Sequence, residues 1–131
     1  MHTTNYTAAF IVVAPDSKAA QAIIPDKPGT IATLQHALLA AKPYAMTSDD
    51  LIFQVYALRN AIKPTKDARA AFFSMPQACL RASPLPKSYG FGLHHDERAR
   101  VALVPMDSPR YAELCEDPSV KVVTAMRSKR A

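Results

Sequence analysis

The sequence contains few of the residues that build several common classes of site. It has only two cysteines, three glycines and no tryptophan in 131 residues. The glycines, at positions 29, 90 and 92, form neither the GxxxxGK phosphate loop nor the GxGxxG dinucleotide motif. No HExxH or paired CxxC spacing occurs, and Ser83-Pro84 does not form a GxSxG elbow. These absences argue against P-loop, dinucleotide-dependent, zinc-protease and α/β-hydrolase chemistry, and no cofactor is predicted.

Long apolar runs are missing as well. The longest, Ala8 to Pro15 and Val101 to Met106, are much shorter than the roughly 20 residues of a membrane-spanning helix. The segment from Met1 to Tyr6 is polar and lacks the basic start of a signal peptide. Two cysteines alone do not distinguish a secreted protein from an intracellular one. We therefore expect a cytoplasmic protein with reduced thiols and no membrane partner.

Size and charge indicate one ordinary globular domain over residues 1–131. Hydrophobic residues make up 49% of the chain, enough to form a core without a disulfide staple. The formal net charge is +5, of which Arg127, Lys129 and Arg130 supply three, leaving +2 for the rest. This distribution disfavours nucleic acid as the main partner, and weak nucleic-acid binding through the basic tail remains an alternative.

The first half of the sequence favours helices after one short strand. Residues 8–13 read as a buried strand, and the prolines and glycine of residues 15–29 indicate a loop. Thr30 is a suitable N-cap for a helix that Lys42-Pro43 ends. Thr47 and Asp50 approximate a capping box. The helix that follows should bury an apolar stripe at positions 51, 55, 58 and 62, and a third helix should cover 66–73.

The second half favours strands. Residues 78–82 read as a strand, and residues 90–95 and 100–106 read as a hairpin. Ser108-Pro109 should start a short helix with Tyr111, Leu114 and Cys115 facing inward, before a last strand at 120–125. Segregation of helices and strands predicts an α+β fold with a mainly antiparallel sheet that includes the hairpin at about 90–106.

Several short motifs resemble an uncharacterised family of small bacterial proteins, a domain of unknown function. The matching pieces cover essentially the whole chain: His2-Thr3-Thr4-Asn5-Tyr6, Thr47-Ser48-Asp49-Asp50, Cys79-Leu80-Arg81-Ala82-Ser83-Pro84-Leu85, Tyr89-Gly90, Gly92, His94-His95 and Ala125-Met126-Arg127-Ser128-Lys129-Arg130. One departure is Ser17-Lys18, where many relatives are expected to have a cysteine-proline pair. The resemblance implies a single bacterial domain and carries no activity.

Chemically capable residues are densest between Cys79 and Arg100. In an extended strand Phe91 and Leu93 share the core face, so Gly92 and His94 share the opposite face. This alternation predicts a shallow groove with a glycine floor and cationic edges that binds carboxylate or phosphate. Its expected residues are Arg81, Lys87, Gly90, Gly92 and His94. The alternative is a solvated sheet face whose glycines only relieve packing.

The best hypothesis from sequence is a binding or interaction module for a small anionic molecule or a protein partner. The alternative is a small enzyme that uses His94 with Cys79 or Asp96. No metal is predicted, because adjacent strand residues such as His94 and His95 point to opposite faces. Cys79 is otherwise a small core residue and Cys115 a packing residue. Arg59 is either exposed or buried against Asp67 or Glu113. The oligomeric state stays open.

Overall fold

The computed structural model describes residues 3–127, which form five helices and four strands. The strands are β1 (Ala9–Val12), β2 (Phe91–His95), β3 (Val101–Pro105) and β4 (Lys121–Thr124). The helices are α1 (Ile31–Ala41), α2 (Ser48–Arg59), α3 (Lys66–Phe73), α4 (Pro84–Ser88) and α5 (Pro109–Glu116). No helix within residues 3–127 has the length and apolar character needed to cross a bilayer.

The sheet has the order β3-β2-β1-β4. Strand β2 pairs antiparallel with β1 and with β3, whereas β4 runs parallel to β1. Phe10 lies opposite His94 on one side and opposite Val122 on the other. The prediction of an α+β fold with a mainly antiparallel sheet and a hairpin at about 90–106 is confirmed, with β4 as the parallel exception.

Helices cover both faces of the sheet. On one face, which we call the inner face, Ile11 and Leu93 pack with Leu39, Leu51 and Leu85 from α1, α2 and α4. On the other, the outer face, Phe10 and Val104 pack against Leu114 of α5. Every residue of β2 is buried as a result. The expected alternative of a solvated outer face at β2 is therefore wrong.

Capping side chains explain where helix α2 begins. The Asp50 backbone N–H donates to Thr47 Oγ1, and the Thr47 N–H donates to Asp50 Oδ2, both at 3.1 Å. The predicted capping box is confirmed. The predicted stripe holds at Leu51 and Val55 but fails at Leu58, which is 50% exposed. The last turn of α2 buries Ala57 in place of Leu58, and Ile62, which lies beyond the end of the helix at Arg59, is 38% exposed.

The segment expected to be a strand at 78–82 is instead a single 3₁₀ turn, Leu80–Ala82, followed by helix α4. The Ser83 hydroxyl accepts the Leu85 backbone N–H at 3.2 Å, and Pro84 occupies the first helical position. A serine cap followed by proline favours a helix start over an extended chain. The same signal correctly predicted α5 at Ser108-Pro109.

Cys115, which was predicted to be packed, and Arg59, which was predicted to be either exposed or buried, both lie at the surface. Cys115 is exposed, so its expected inward orientation on α5 is wrong; only Leu114 is fully inside. Arg59 is exposed as well, and its Nε donates to the Gly29 carbonyl at 3.3 Å. Neither Asp67 nor Glu113 pairs with it in the part of the chain that the structure describes.

Candidate functional site

The protein's own packing fills the predicted glycine groove. A Cβ atom at Gly92 would lie 2.6 Å from two ring carbons of Phe10 and 3.0 Å from the Tyr111 ring. A Cβ atom at Gly90 would lie 2.5 Å from the Gln21 carbonyl oxygen, and this glycine has a φ of +74°. The prediction of an open groove is therefore wrong, because α5 and the loop before α1 pack against the sheet there.

The two cations expected at the edge of the groove lie elsewhere. Arg81 is tied to the end of β4: its Nε donates to the Thr124 carbonyl at 2.6 Å, and its own carbonyl accepts the Met126 N–H at 2.8 Å. Lys87 is partly buried in α4, which packs on the inner face. The structure thus does not bring the five predicted residues into one groove. Of the five, His94 alone lines the polar cavity described next.

His94 borders a cavity of about 420 Å³ at one end of the sheet, which we call the His94 cavity. The start of β1, the end of β2, the hairpin loop, α5 and the turn before β4 converge there. Its lining carries three acidic and two basic side chains besides His94: Asp96, Glu97, Asp117, Arg98 and Arg110. The site is therefore polar and of mixed charge, not the purely cationic receptor that the sequence suggested.

A hydrogen bond from Tyr44, in the loop between α1 and α2, fixes the His94 ring. The Tyr44 hydroxyl lies 2.7 Å from His94 Nδ1, and the two rings meet edge to face. Burial, followed by the charge of Arg110, lowers the pKa of His94 below its usual value, so the imidazole is neutral at pH 7. Nε2 has no hydrogen-bond partner within residues 3–127. With the hydroxyl as donor to Nδ1, Nε2 carries the proton and can donate it to a ligand.

Two residues around His94 hold strained backbone conformations. Tyr44 has a φ of +58° while its N–H donates to the Val101 carbonyl at 3.0 Å. Ala8, which lines the cavity, has a φ of +46°, and its N–H donates to the Asp96 carbonyl at 3.0 Å. Positive φ is costly for residues other than glycine and tends to accumulate at functional sites. A residue with positive φ thus contacts His94, and another lines the cavity beside it.

Local turns hold the two aspartates of the cavity. Asp96 Oδ1 accepts the backbone N–H groups of Arg98 and Arg100, each at 2.9 Å. Asp117 Oδ1 accepts from the Ser119 N–H at 2.9 Å and from its hydroxyl at 2.7 Å. The hydrogen bonds from Ser119, with the nearby Arg110 guanidinium, lower the pKa of Asp117. Both carboxylates are thus fixed in position, with their Oδ2 atoms outside these turns.

Cys79, which was predicted to assist His94 in an enzyme, does not join this site. Cys79 Sγ lies 3.3 Å from the Tyr6 hydroxyl and lines a different cavity. Burial, and then this contact, raises the pKa of Tyr6 to about 12. His95 packs edge to face on the Tyr6 ring and is fully buried, and neither ring nitrogen has a hydrogen-bond partner among residues 3–127. Within residues 3–127 no thiol is hydrogen-bonded to an imidazole, and of the expected assistants only Asp96 shares a cavity with His94.

No group of three metal-ligating side chains is close enough to hold an ion within residues 3–127. A different polar cluster, which sequence reasoning missed, lies at the start of α2. The Asp49 carboxylate accepts from the Thr4 N–H, the Thr4 hydroxyl and the Thr3 hydroxyl, each at 2.7 Å. Asn5 Oδ1 accepts the Asp49 N–H at 2.9 Å. The Thr3-Thr4-Asn5 and Ser48-Asp49 motifs that carry the resemblance therefore meet in space and dock the N-terminal segment.

Comparison with family models agrees with that resemblance. The model of a "Family of unknown function (DUF6157)" matches residues 1–131. The chain belongs to this family. Curated proteins and solved structures give no match to the chain. Membership in DUF6157 carries no reaction or ligand, so the function has to be argued from the geometry of the site.

Proposed function

We propose that this DUF6157 chain is a binding module for a small zwitterionic molecule held in the His94 cavity. The observation that carries the proposal is the His94–Tyr44 pair. A neutral imidazole is fixed through Nδ1 at 2.7 Å and borders a cavity of about 420 Å³. Concave sites with a few oriented polar groups are typical of small-molecule binding.

The charges that line the cavity favour a ligand with both signs of charge. Arg98 and Arg110 can bind a carboxylate or phosphate, because guanidinium groups pair well with such anions. The Arg110–Glu113 contact is long, at 3.6 Å, and exposed, so Glu113 competes only weakly with an anionic ligand for the Arg110 guanidinium. Asp96 and Asp117 can bind an ammonium group. A purely anionic ligand, as the sequence suggested, would meet three carboxylates in the same space.

A matched set of ligands tests this proposal. We expect 4-aminobutyrate to raise the melting temperature of the protein more than butyrate or butylamine at equal concentration. Arg98→Ala should remove this stabilisation, because it removes a cation that lines the cavity. Arg100→Ala is the control, since Arg100 is an exposed cation on the same hairpin outside the lining. Equal stabilisation of both variants would exclude the His94 cavity as the site.

A second candidate is a small enzyme that uses His94 as a general base, with Asp96 in the same cavity. This role requires the other tautomer, in which Nδ1 donates to the Tyr44 hydroxyl oxygen and Nε2 accepts the proton. The depressed pKa of His94 and its fixed ring are the observations that favour it. An activity that His94→Gln abolishes, and that rises with pH to a plateau near neutrality, would distinguish catalysis from binding alone.

Three finer points belong to the proposal. We place the protein in bacteria and in the cytoplasm, in keeping with the resemblance and the composition. A protein partner at the same face stays a prediction. Weak nucleic-acid binding through the tail also stays one, since only Arg127 of the basic tail lies within the described residues and residues 128–131 lie outside them.

A further inference from the structure

A second cavity, of about 250 Å³, lies on the other side of the sheet between α1, α2 and the segment 77–84; we call it the helical cavity. Most of its lining is apolar and comes from Ile31, Ile52, Val55, Tyr56, Phe72 and Leu80. Its volume is slightly below the roughly 300–1,000 Å³ of cavities that hold drug-sized ligands. It therefore suits a molecule with one ring or a short aliphatic chain.

A nearly buried amide is the main polar group of this cavity. Gln35, on α1, is 5% exposed and lines the cavity. Its Oε1 accepts the Ser83 hydroxyl at 2.6 Å, which assigns the oxygen end of the amide. Ser83 Oγ in turn accepts the Leu85 N–H. Nε2 of Gln35 makes no hydrogen bond within residues 3–127. Nε2 is not among the fully buried polar atoms that lack a partner, so this donor is open to the cavity and within reach of a ligand that accepts a hydrogen bond.

The electrostatics of the helical cavity favour an anion. Arg59 is the one charged residue in its lining, and the described residues place no carboxylate there. The Arg59 guanidinium is exposed and held by its Nε to the Gly29 carbonyl, without an ion-pair partner in the described ranges. A cation at the mouth of an apolar cavity favours a carboxylate over a neutral or cationic group.

We propose that the helical cavity binds a small carboxylic acid with an apolar body. The ring or chain packs on the lining of α1 and α2, and the carboxylate accepts from Gln35 Nε2 on the side nearest Arg59. This site is independent of the His94 cavity. The two cavities share no lining residue and lie on opposite faces of the sheet.

Cys79 offers a direct readout of occupancy. This half-buried thiol lines the helical cavity, whereas Cys115 is exposed on α5 outside it. We expect phenylacetate, benzoate and hexanoate to slow the alkylation of Cys79 by iodoacetamide in a saturable way. The rate at Cys115, measured by mass spectrometry in the same sample, serves as the internal reference. Protection of Cys79 by none of the three acids would overturn the proposal.

Two substitutions locate the binding. Gln35→Glu keeps an oxygen for the Ser83 hydroxyl but replaces the N–H donor with a negative charge, so phenylacetate should bind at least about tenfold more weakly. Ala78→Phe places a ring at the exposed rim of the cavity and should also abolish protection of Cys79. Because Ala78 is outside the core, this variant tests the site even if Gln35→Glu does not fold.

Further comparisons separate this proposal from the previous one. His94→Gln should leave the protection by phenylacetate unchanged. Phenylacetamide has the same ring without the charge and should protect less than phenylacetate. Equal protection by the amide and the acid, or full protection in the Ala78→Phe variant, would contradict the assignment.

Discussion

At the scale of single residues, His94 and His95 are neighbours in sequence with opposite surroundings. His94 faces the outer side and contacts Tyr44, whereas His95 is fully buried against Tyr6 on the inner side. Burial, followed by repulsion from His94, lowers the pKa of His95 to about 4, with Asp96 opposing the shift. Because both ring nitrogens lack partners within residues 3–127, this side chain weakens the core instead of stabilising it.

This difference predicts a loss of stability in acid. In the unfolded chain His95 titrates near 6.5 and in the folded chain near 4, so below pH 6.5 the unfolded state binds more protons. The free energy of unfolding should fall by roughly 3 kcal/mol from this group between pH 6.5 and 4. His95→Leu should raise stability at pH 7 and flatten that decline. Urea unfolding at pH 7 and 4.5 measures both; an unchanged decline would contradict the assignment.

At the scale of elements, the N-terminal segment is fastened to helix α2 through one carboxylate. Asp49 accepts three hydrogen bonds from Thr3 and Thr4. Asp49→Ala should therefore lower the free energy of unfolding by about 3 kcal/mol, because buried donors lose a charged acceptor. Asp67→Ala is the control, since Asp67 also lies in the first turn of a helix but is exposed. Similar losses in the two variants, measured by chemical denaturation, would exclude the docking role.

Helix α5 and strand β2 give a second prediction at this scale. Gly92→Ala should cost about 2 kcal/mol, because the added Cβ would push against the Phe10 ring in a packed layer. Gly29→Ala is a useful comparison: it meets no atom within 4 Å, and only its φ of +77° is unfavourable. If Gly92→Ala were neutral or stabilising, the outer face would not be closed by α5 as described.

Local signals explain which elements could be predicted from the sequence. Thr47 with Asp50 and Ser108 with Pro109 act within four residues of each other, so α2 and α5 were predicted at their starts. Ser83-Pro84 carries the same kind of signal, but the apolar run before it suggested a strand. Short apolar runs do not distinguish a strand from a turn that packs on a core.

The site was only partly predictable, for a related reason. Strand alternation correctly separated His94 from Phe91 and Leu93. It could not indicate that Tyr111 and Phe10 fill the space beside Gly92, because that contact depends on which helix covers the outer face. The Tyr44 contact with His94 likewise involves a tyrosine with a positive φ, which no sequence pattern predicts.

At the scale of the whole molecule, the sheet separates two cavities of different character. The His94 cavity carries charges of both signs, whereas the helical cavity is apolar with one cation in its lining. Because helices pack on both faces of the four-stranded sheet, each face can hold a ligand of different chemistry. A ligand bound in the His94 cavity should therefore leave the helical cavity accessible, and the reverse should also hold.

The most direct test of the central claim is a titration of the ¹⁵N-labelled protein with 4-aminobutyrate, followed by NMR. The account predicts saturable shifts concentrated at His94, Arg98, Arg110 and Asp117, and their loss in His94→Gln. Shifts that never saturate, or that saturate away from these residues, would contradict a binding site in the His94 cavity.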